Sequence, residues 1–468
     1  MIDQTQAYDI LVVGGGNAGL CAAITGQRAG RRVLLLESAP EVFRGGNSRH
    51  TRDIRYGHAG PSRFVTGPYS EDEFWDDLLR VTGGETNEEL ARLTIRQSAD
   101  IEEWGLANGV IWQLPLRGTL HLARTNIFML GGGKAMINAY YATAQKLGVE
   151  VRYETAVREL VIRQGEFKSA VIEHDGRQQE VQARSVVVAS GGFEANLSWL
   201  KEYWGAAADN FIVRGTPYNQ GRLLAELLSH GAKPVGNERE FHAVAVDARA
   251  PKFDGGIITR LDSVPFGIAV NRDGKRFYDE GEDYWPKRYA IWGGLIARQP
   301  DQIAYSIFDS MAIDKFMPSL YPPVEGDSVA EVCAQLDLSQ KATDATLETV
   351  AQYNRATRPG TFDPATLDGC TTEGLEPPKS HWAVPIETPP FYAYPLRPGI
   401  TFTYRGVTVD ENARVIMQDG RPSSNIFAAG EVMAGNILGR GYLAGFGLTI
   451  GNVFGRIAGR EAAKHAGA

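Results

Sequence analysis

The chain begins with two short apolar runs joined by a glycine-rich turn and a segment of small residues. Residues 9–13 and 32–36 have strand length and are dominated by aliphatic side chains, and residues 17–29 are rich in alanine and glycine. Short apolar runs bounded by turn residues are typical of buried parallel strands. The pattern predicts a β-turn-α-β unit and therefore the α/β fold class.

Later segments continue this alternation of helices and strands. Residues 69–108 carry two helical patterns, residues 132–147 carry another, and residues 149–189 are strand-like. The apolar run at 185–189, which a Ser-Gly-Gly turn ends, predicts a central strand that returns to the first sheet. Residues 445–463 predict a glycine-rich helix near the end of the chain.

The character of the sequence changes between residues 240 and 383. Prolines and aromatic residues become frequent, residues 270–277 carry a hairpin signal, and two short amphipathic helical patterns follow. We therefore predict a bipartite Rossmann-like domain made of residues 1–239 and 384–468. Residues 240–383 form an inserted capping domain of the α+β type in this prediction.

Composition and charge limit the classes of partner. Of the 468 residues, 43% are hydrophobic and 22% are charged, and the formal net charge is −8. A negative surface disfavours general binding to nucleic acid or to anionic membranes. The chain has no apolar stretch of the roughly 18 residues that cross a bilayer, and its first residues do not resemble a signal peptide. We expect a cytoplasmic protein without direct membrane insertion, which reaches a membrane only through a partner.

The cysteines indicate a reducing environment. Cys21, Cys333 and Cys370 lie far apart in the sequence and form no CxxC pair. This spacing excludes a disulfide framework and leaves too few thiolates for an iron–sulfur cluster or a structural zinc site. We therefore predict that the chain has no metal site of its own.

The turn between the first two strands has the spacing of a dinucleotide-binding fingerprint. Gly14, Gly16 and Gly19 form G-x-G-x-x-G between strand and helix. The first glycine permits a tight turn, the second lets the backbone approach a pyrophosphate, and the third lets helix and strand pack closely. Glu37 ends the second strand, where it can accept hydrogen bonds from ribose hydroxyls. The sequence therefore predicts a dinucleotide site.

Further features favour FAD over a nicotinamide cofactor. Small residues precede the pair Gly430-Glu431, a pattern with which flavoproteins hold the ribityl chain. Ser190 and Gly191 form a second turn that lets a ligand approach the backbone, directly after a buried strand. The sequence contains no second G-x-G-x-x-G for a nicotinamide cofactor.

The glycine run at residues 131–133 resembles a P-loop only superficially. It is followed by Lys134, but Ala135 stands where a P-loop needs the Ser or Thr that binds Mg²⁺. We therefore exclude a P-loop and keep the three glycines among the candidates for the FAD site.

Five further segments carry a family resemblance: RGGNSRHTRDIR (44–55), ARTNIFMLGGGKAMINAYY (123–141), EFHAVAVDARAP (240–251), VNRDGKRFYDE (270–280) and AAGEVMAGNILGRGYLAGFGLTIGNVFGRIAG (428–459). With them the chain resembles, essentially end to end, the fumarate reductase/succinate dehydrogenase flavoprotein superfamily. Within that superfamily it looks most like the FAD-dependent tricarballylate dehydrogenases. The last two segments are shared more widely, including with 3-ketosteroid dehydrogenases.

The resemblance implies an FAD held between the Rossmann-like domain and a mobile capping domain. Respiratory members attach FAD through a histidine before the Gly-Gly pair, and residues 38–44 contain none, so we expect non-covalent binding. The turn at 45–48 would lie along the isoalloxazine, and residues 445–448 near its pyrimidine end. The complete set of candidate FAD-binding residues is Gly14, Gly16, Asn17, Ala18, Gly19, Glu37, Ser38, Gly45, Gly46, Asn47, Ser48, Gly131, Gly132, Gly133, Val157, Ala189, Ser190, Gly191, Gly430, Glu431, Gly445, Gly447 and Leu448.

The resemblance also implies a dehydrogenation across a C–C bond next to a carboxylate. A base removes the proton α to the carboxylate, while hydride leaves the neighbouring carbon for flavin N5. Fixed cations must hold the charge that develops, and arginine suits this task because its planar fork binds carboxylates and stays charged.

Candidate catalytic residues follow from the same resemblance. Arg288 lies in the segment that carries the proton-transferring arginine of fumarate reductases, and His242 falls where they place a substrate-binding histidine. Tyr442 takes the position of their substrate-gripping arginine, as a tyrosine does in ketosteroid dehydrogenases, and Arg440 lies two residues earlier. Thr401-Phe402 replaces their histidine pair, which disfavours a simple four-carbon substrate. Several arginines could grip a polycarboxylate instead: Arg49, Arg52, Arg55, Arg124, Arg405 and Arg440.

We therefore predict an FAD-dependent dehydrogenase acting on CH–CH groups, which oxidises tricarballylate to cis-aconitate or acts on a similar polycarboxylate. Electrons pass to a separate acceptor, for example a membrane iron–sulfur or haem protein. The sequence leaves open a 3-ketosteroid-type or fumarate/succinate-type dehydrogenase, and a flavin-dependent enzyme resembling precorrin-3B synthase. A nicotinamide dehydrogenase or an inactive binding module is the remaining alternative, and it predicts a protein that takes up no FAD.

Overall fold

The structure is a computed structural model that describes residues 8–115 and 122–467, and these residues adopt a mixed α/β architecture. The strands are β1 (Tyr8–Val13), β2 (Val33–Leu36), β3 (Asp53–Arg55), β4 (Trp112–Gln113), β5 (Asn126–Met129), β6 (Glu150–Arg152), β7 (Ala156–Arg163), β8 (Glu166–His174), β9 (Arg177–Val188), β10 (Ile212–Val213), β11 (Pro234–Val235), β12 (Phe241–Asp247), β13 (Ile268–Asn271), β14 (Ala304–Asp309), β15 (Val324–Gly326), β16 (Phe391–Thr403), β17 (Gly406–Val407), β18 (Arg414–Ile416) and β19 (Pro422–Ala428). The helices are α1 (Asn17–Arg28), α2 (Glu71–Thr82), α3 (Glu88–Gln97), α4 (Ile101–Ala107), α5 (Leu122–Thr125), α6 (Gly132–Leu147), α7 (Leu197–Trp204), α8 (Arg222–Ser229), α9 (Trp285–Arg288), α10 (Trp292–Ala297), α11 (Val329–Ala334), α12 (Gln340–Ala356) and α13 (Phe446–Gly467).

A parallel sheet contains the predicted β-turn-α-β unit. β1 pairs in parallel with β2 on one side and with β9 on the other, and β19 pairs in parallel with β9. The predicted return of residues 185–189 to the first sheet is therefore confirmed. The α/β fold class is confirmed as well.

Helices α1 and α13 pack against each other beside this sheet, although they come from opposite ends of the chain. Glycines in α13 permit the close contact. A Cβ atom on Gly455 would lie 2.4 Å from the carbonyl oxygen of Ala18, and one on Gly459 would lie 2.3 Å from that of Ala22. The glycine-rich character of the last helix is thus a packing feature.

A second sheet is built around β16. This strand pairs antiparallel with β12, β14 and β15 and parallel with β10. β16 falls in the segment 384–468 and β10 in the segment 1–239, both of which the sequence assigned to the Rossmann-like domain. Sheet membership therefore does not follow the predicted segment boundaries, because a buried strand has the same apolar pattern in either sheet. Within the described ranges, no helix is long and apolar enough to cross a membrane.

Candidate FAD and substrate site

A cavity of about 390 Å³ lies between the two sheets. On one side its wall contains Val13, Leu36 and Ala189, which lie at the carboxyl ends of β1, β2 and β9. Ligands of open α/β sheets bind at this edge, because the turns and helix N-termini present backbone groups there. On the other side the wall contains residues of β12 and β16.

The dinucleotide end of the cavity is built from backbone. Gly14 has φ +105°, which glycine adopts without strain, and its N–H donates to the carbonyl oxygen of Leu36 at 2.9 Å. A Cβ on Gly19 would lie 1.8 Å from the carbonyl oxygen of Gly14. Helix α1 begins at Asn17 with Gly16 before it. The N–H of Asn17 donates to Oγ of Ser48 at 3.1 Å, and the N-cap position, a glycine, supplies no side chain to the N–H groups that follow. These groups suit the anionic pyrophosphate of a dinucleotide.

Glu37 lies in the cavity wall as the fingerprint predicts. Its carboxylate accepts hydrogen bonds from the N–H groups of Gly15 at 3.2 Å and Ala39 at 2.8 Å. The residue is buried, and this burial raises the pKa of the carboxyl group. The backbone therefore fixes the carboxylate at the cavity edge.

Most of the candidate FAD-binding residues line the cavity: Gly14, Gly16, Asn17, Ala18, Glu37, Ser38, Gly46, Asn47, Ser48, Val157, Ala189, Ser190, Gly191, Gly430, Glu431, Gly445, Gly447 and Leu448. The others lie behind the wall: Gly19, Gly45, Gly131, Gly132 and Gly133. Gly133 shows the reason, since a Cβ there would lie 2.0 Å from the carbonyl oxygen of Ser48. The start of helix α6 therefore packs against the turn at 45–48 and does not itself line the cavity.

The other end of the cavity carries three arginines, Arg52, Arg214 and Arg260. They come from segments far apart in the chain. Arg260 lowers the pKa of Arg52, and Arg260 and Arg52 lower the pKa of Arg214. Only Arg52 belonged to the arginine set that the sequence suggested. This end is therefore a concentrated positive site in a protein whose net charge is −8.

Arg214 is the least compensated of the three. It is 4% exposed, and its Nε donates to Oγ1 of Thr401 at 2.9 Å. Within the described ranges no carboxylate pairs with it, and one terminal nitrogen has no hydrogen-bond partner. Burial and the neighbouring arginines lower the pKa of Arg214 to about 10. A buried, unpaired cation costs several kcal/mol, so this wall is suited to an anionic ligand.

Arg52 and Arg260 each have a neighbouring carboxylate. Nε of Arg52 lies 3.4 Å from Asp53, and Arg260 lies 2.7 Å from Asp262. Asp262 also accepts a hydrogen bond from the indole of Trp285 at 2.6 Å. Formally, three arginines face two aspartates, so the group keeps one uncompensated positive charge.

Aromatic side chains complete the wall. His242 stacks on Tyr442 with ring centres 4.0 Å apart, and the ring of Tyr289 meets His242 edge-on at 5.4 Å. Burial and the guanidiniums of Arg214 and Arg260 hold the pKa of His242 well below its usual range, so the imidazole is neutral at pH 7. Both residues that the sequence proposed here, His242 and Tyr442, therefore line the cavity.

Three proposed catalytic residues lie outside the wall. Arg288 is held by Glu282 and by the hydroxyl of Tyr278. Arg405 pairs with Glu238 at 2.8 Å, and Arg440 donates to the carbonyl oxygen of Thr82 at 3.1 Å. Local partners hold these guanidiniums elsewhere, and the sequence could not reveal such partners. Three further members of the arginine set do not line the cavity and have local partners: Arg49 with Val42, Arg55 with Tyr69 and Ala444, and Arg124 with Glu73.

Sequence reasoning missed Arg214, Arg260 and Tyr289. Arg214 follows the two-residue strand β10, and Tyr289 follows the short helix α9, so neither lies in a strongly periodic segment. The signal for Arg260 was its position nine residues after the segment EFHAVAVDARAP. The signal for Tyr289 was its position directly after Arg288, the residue that the sequence analysis had placed in the site.

The family comparison agrees with this geometry. Residues 9–448 match the model of the family FAD_binding_2, described as FAD binding domain. The chain belongs to this family. It is a flavoprotein of the fumarate reductase/succinate dehydrogenase superfamily, and the prediction of FAD as its cofactor is confirmed.

Individual relatives agree with this placement. An NADH:fumarate oxidoreductase of Klebsiella pneumoniae (strain 342) is 28% identical over 98% of this chain and 48% of its own length. The chain thus spans about half of that relative. An open flavocytochrome c3 fumarate reductase has a similar fold, with a TM-score of 0.75 and 24% identity over 99% of this chain and 79% of its own. A 3-ketosteroid delta1-dehydrogenase of Sterolibacterium denitrificans shares the fold, with a TM-score of 0.77 and 18% identity over 98% of this chain and 100% of its own.

The residues present fit FAD. The first turn of α1, the carboxylate of Glu37 and the small residues Ala429 and Gly430 line one continuous cavity. The segment 38–44, where respiratory members carry their attaching histidine, contains no histidine. Cys21, Cys333 and Cys370 are buried and unpaired, and the described part of the chain contains no cluster of His, Cys, Asp and Glu that could hold a metal ion.

Proposed function

We propose that the protein is an FAD-dependent dehydrogenase that oxidises tricarballylate, or a similar polycarboxylate, to its unsaturated product. The observation that carries this proposal is the group of Arg52, Arg214 and Arg260 at one end of the FAD cavity, of which Arg214 and Arg260 are buried. A carboxylate accepts two parallel hydrogen bonds from a guanidinium, so an acid with several carboxylates can engage several arginines at once.

Unpartnered donors in the wall support the same class of substrate. Nε of Arg260, a terminal nitrogen of Arg214 and Nε2 of His242 are buried without a hydrogen-bond partner among the described residues. Buried polar atoms are nearly always satisfied, so unpaired donors in a cavity wall indicate a polar ligand. Carboxylate oxygens supply the acceptors that these donors need.

Bound FAD would accept the hydride of such an oxidation, and the chain must supply the proton acceptor. The wall offers Tyr289, which is 4% exposed and whose hydroxyl has no hydrogen-bond partner within the described ranges. The guanidiniums of Arg260, Arg214 and Arg52 favour its phenolate, although burial raises the pKa of Tyr289 to about 12. We therefore propose Tyr289 in preference to Arg288 for proton transfer.

Electrons then pass to a separate acceptor. The name of the longer Klebsiella relative specifies NADH as a redox partner, and this chain spans about half of it. A domain or protein beyond the FAD module therefore exchanges electrons with the flavin in our proposal. We propose a protein acceptor for this chain.

Anaerobic mixing tests the substrate class. The FAD-loaded protein is mixed separately with tricarballylate, succinate and a 3-ketosteroid, and the flavin absorbance is followed. We expect tricarballylate to bleach the flavin fastest. Bleaching by the steroid alone, or by none of several polycarboxylates, would contradict the proposal.

A ketone substrate is the second candidate, and one observation favours it. The hydroxyl of Tyr442 lies 2.8 Å from the N–H of Gly447, and both residues line the cavity. The N–H donates to the hydroxyl oxygen, so the hydroxyl keeps its own proton to donate to a carbonyl oxygen that gains negative charge. The three arginines favour the polycarboxylate, and the steroid arm of the mixing experiment separates the two.

A further inference from the structure

Two buried glutamates lie side by side at the FAD cavity: Glu431 in its wall and Glu194 behind the wall. Glu194 is 0% exposed and Glu431 is 9% exposed. The hydroxyl oxygen of Thr403 accepts from the N–H of Phe193, the chain neighbour of Glu194, and the same hydroxyl donates to Glu431. The charge of Glu431 raises the pKa of Glu194. Within the described ranges neither has a Lys, Arg or His within salt-bridge distance, so no cation balances them.

The surrounding donors cannot balance two negative charges. Glu194 accepts hydrogen bonds from the amides of Asn47 and Asn219, while its second carboxyl oxygen has no other partner. Glu431 accepts from the N–H of Thr403 at 2.8 Å and from its hydroxyl at 3.1 Å. These donors are all neutral. Two neighbouring negative charges cannot both persist in a buried site, so at least one carboxyl group must keep its proton.

The pair is connected to the cofactor wall on both sides. Glu431, Asn47 and Asn219 line the cavity. Asn47 also donates to the carbonyl oxygen of Thr401 at 2.6 Å and accepts from the N–H of Thr216 at 2.8 Å. Glu194 therefore holds the side chain of Asn47, which joins the turn at 45–48 to β16 of the second sheet.

We propose that Glu194 and Glu431 share a proton that holds the amides of Asn47 and Asn219 in place, and that the pair binds one further proton when two electrons enter the FAD cavity. The electrons remain on the cofactor, and the proton comes from water and binds a carboxylate oxygen. The physical reason is electrostatic, because added negative charge near a carboxylate favours its protonated form. Glu194 and Glu431 are positioning residues in this scheme.

The pair of Glu194 and Glu431 binds and releases a proton in a pH range that allows such coupling to the charge of the cofactor. Burial raises the pKa of Glu431 to about 7, and burial together with Glu431 raises the pKa of Glu194 further. Glu431 also raises the pKa of Tyr404, whose hydroxyl donates to the carbonyl oxygen of Gly441. Near neutral pH the pair therefore exchanges one proton with solvent, and a modest change in nearby charge shifts its occupancy.

The inference rests on FAD binding and not on the proposed substrate, so the flavin is reduced chemically in the test. Infrared difference spectra of the FAD-loaded wild type compare the oxidised and dithionite-reduced forms at about pH 7.5. We expect a carboxylic-acid band in the oxidised protein and a stronger one after reduction. If this pH shows no such band, or a band that reduction leaves unchanged, the proposal is wrong.

Two variants assign the band to the pair. Glu194→Gln keeps the shape of a protonated carboxyl group, and we expect it to retain FAD and to lose most of the carboxylic-acid band of the oxidised protein, while Glu431 still takes up the reduction-coupled proton. The double variant Glu194→Gln/Glu431→Gln has no carboxyl group at the pair. From the pH dependence of the flavin midpoint potential, we expect the wild type to take up about one proton more per two electrons than the double variant does. The matched control is Glu102→Gln, a half-buried glutamate that accepts a hydrogen bond from the hydroxyl of Tyr56 and does not line the cavity. Equal proton uptake by the wild type and the double variant would overturn the proposal.

Discussion

The two ends of the cavity are built in different ways. The dinucleotide end consists mainly of backbone groups from one β-turn-α-β unit, with Gly14, Gly16 and Glu37 within 24 residues of one another. The other end consists of side chains from segments far apart, such as Arg52, Arg214 and Tyr289. A contiguous backbone motif is visible in the sequence, whereas a cluster of distant side chains is not.

The difference also predicts how each end fails. A backbone motif tolerates almost no added volume, because the neighbouring chain is already in contact. A side-chain cluster tolerates substitution structurally and loses binding energy or chemistry instead. Substitutions at the first end should therefore abolish cofactor binding, and substitutions at the second end should leave the cofactor bound.

Gly14→Ala should give the largest effect. The position has φ +105°, and the added Cβ would lie 2.3 Å from the carbonyl oxygen of Ala189. Backbone strain and the clash together should cost about 3 kcal/mol or more, which weakens FAD binding by roughly 100-fold or prevents it. The measurement is FAD content after purification, followed by titration with FAD.

Gly30→Ala is the matched control for Gly14. Gly30 also has positive φ, +77°, but a Cβ there would meet no atom within 4 Å. We expect a loss of about 1 kcal/mol in stability and normal FAD content. Equal loss of FAD from both variants would show that the close approach at Gly14 is not what matters.

Arg214→Gln should give the next largest effect. The substitution removes the guanidinium without carboxylate partner, and losing a buried charged contact to a carboxylate costs about 2–5 kcal/mol. We expect kcat/KM for the polycarboxylate to fall on the order of 100-fold or more, with FAD content unchanged. Arg405→Gln serves as the control, because Arg405 pairs with Glu238 outside the cavity wall and should change kcat/KM by less than about twofold. A similar loss in both variants would contradict the proposed arginine site.

Tyr289→Phe and Arg288→Gln test adjacent residues on opposite sides of the wall. Removing the hydroxyl of Tyr289 should lower kcat about 100-fold with little change in substrate affinity, because proton transfer typically contributes that much or more. Arg288 is held by Glu282, so its substitution should have a much smaller effect. Rapid-reaction measurement of flavin reduction distinguishes the two, and the reverse order of effects would restore Arg288 as the base.

The pH dependence of stability should give the smallest effect. The pKa of Glu431 is raised to about 7, so between its ordinary value of 4.5 and 7 the folded state keeps a proton that the unfolded state loses. Stability from this group is therefore fully present below pH 4.5 and is lost as the pH rises through 7. The slope is about 1.4 kcal/mol per pH unit for one proton.

Apparent melting temperatures between about pH 4.5 and 7.5 measure this dependence. Glu431→Gln cannot ionise, so its melting temperature should fall less across this interval than that of the wild type. Glu102→Gln should follow the wild type. Parallel curves for the wild type and Glu431→Gln would show that Glu431 is ionised throughout.

The sequence by itself determined the α/β class, the dinucleotide turn and FAD as the cofactor. Each of these features depends on short local motifs: Gly14 to Gly19 shape a turn, Glu37 ends the next strand, and Ser190-Gly191 and Gly430-Glu431 favour FAD. Local sterics and hydrogen bonds dictate them, so they can be predicted without knowledge of distant contacts. The resemblance to the fumarate reductase superfamily also pointed to the C-terminal segment as part of the FAD site. This segment contains most of helix α13, which packs against α1.

Only the tertiary structure decided which charged side chains share the cavity. Arg214 and Arg260 come from segments without a strong pattern, and Arg288, Arg405 and Arg440 are drawn away by Glu282, Glu238 and the carbonyl of Thr82. A long side chain on a loop can point in several directions, and the choice depends on partners far away in the sequence. The proximity of Glu194 to Glu431 has the same origin, because 237 residues separate them in the chain and folding alone brings them together.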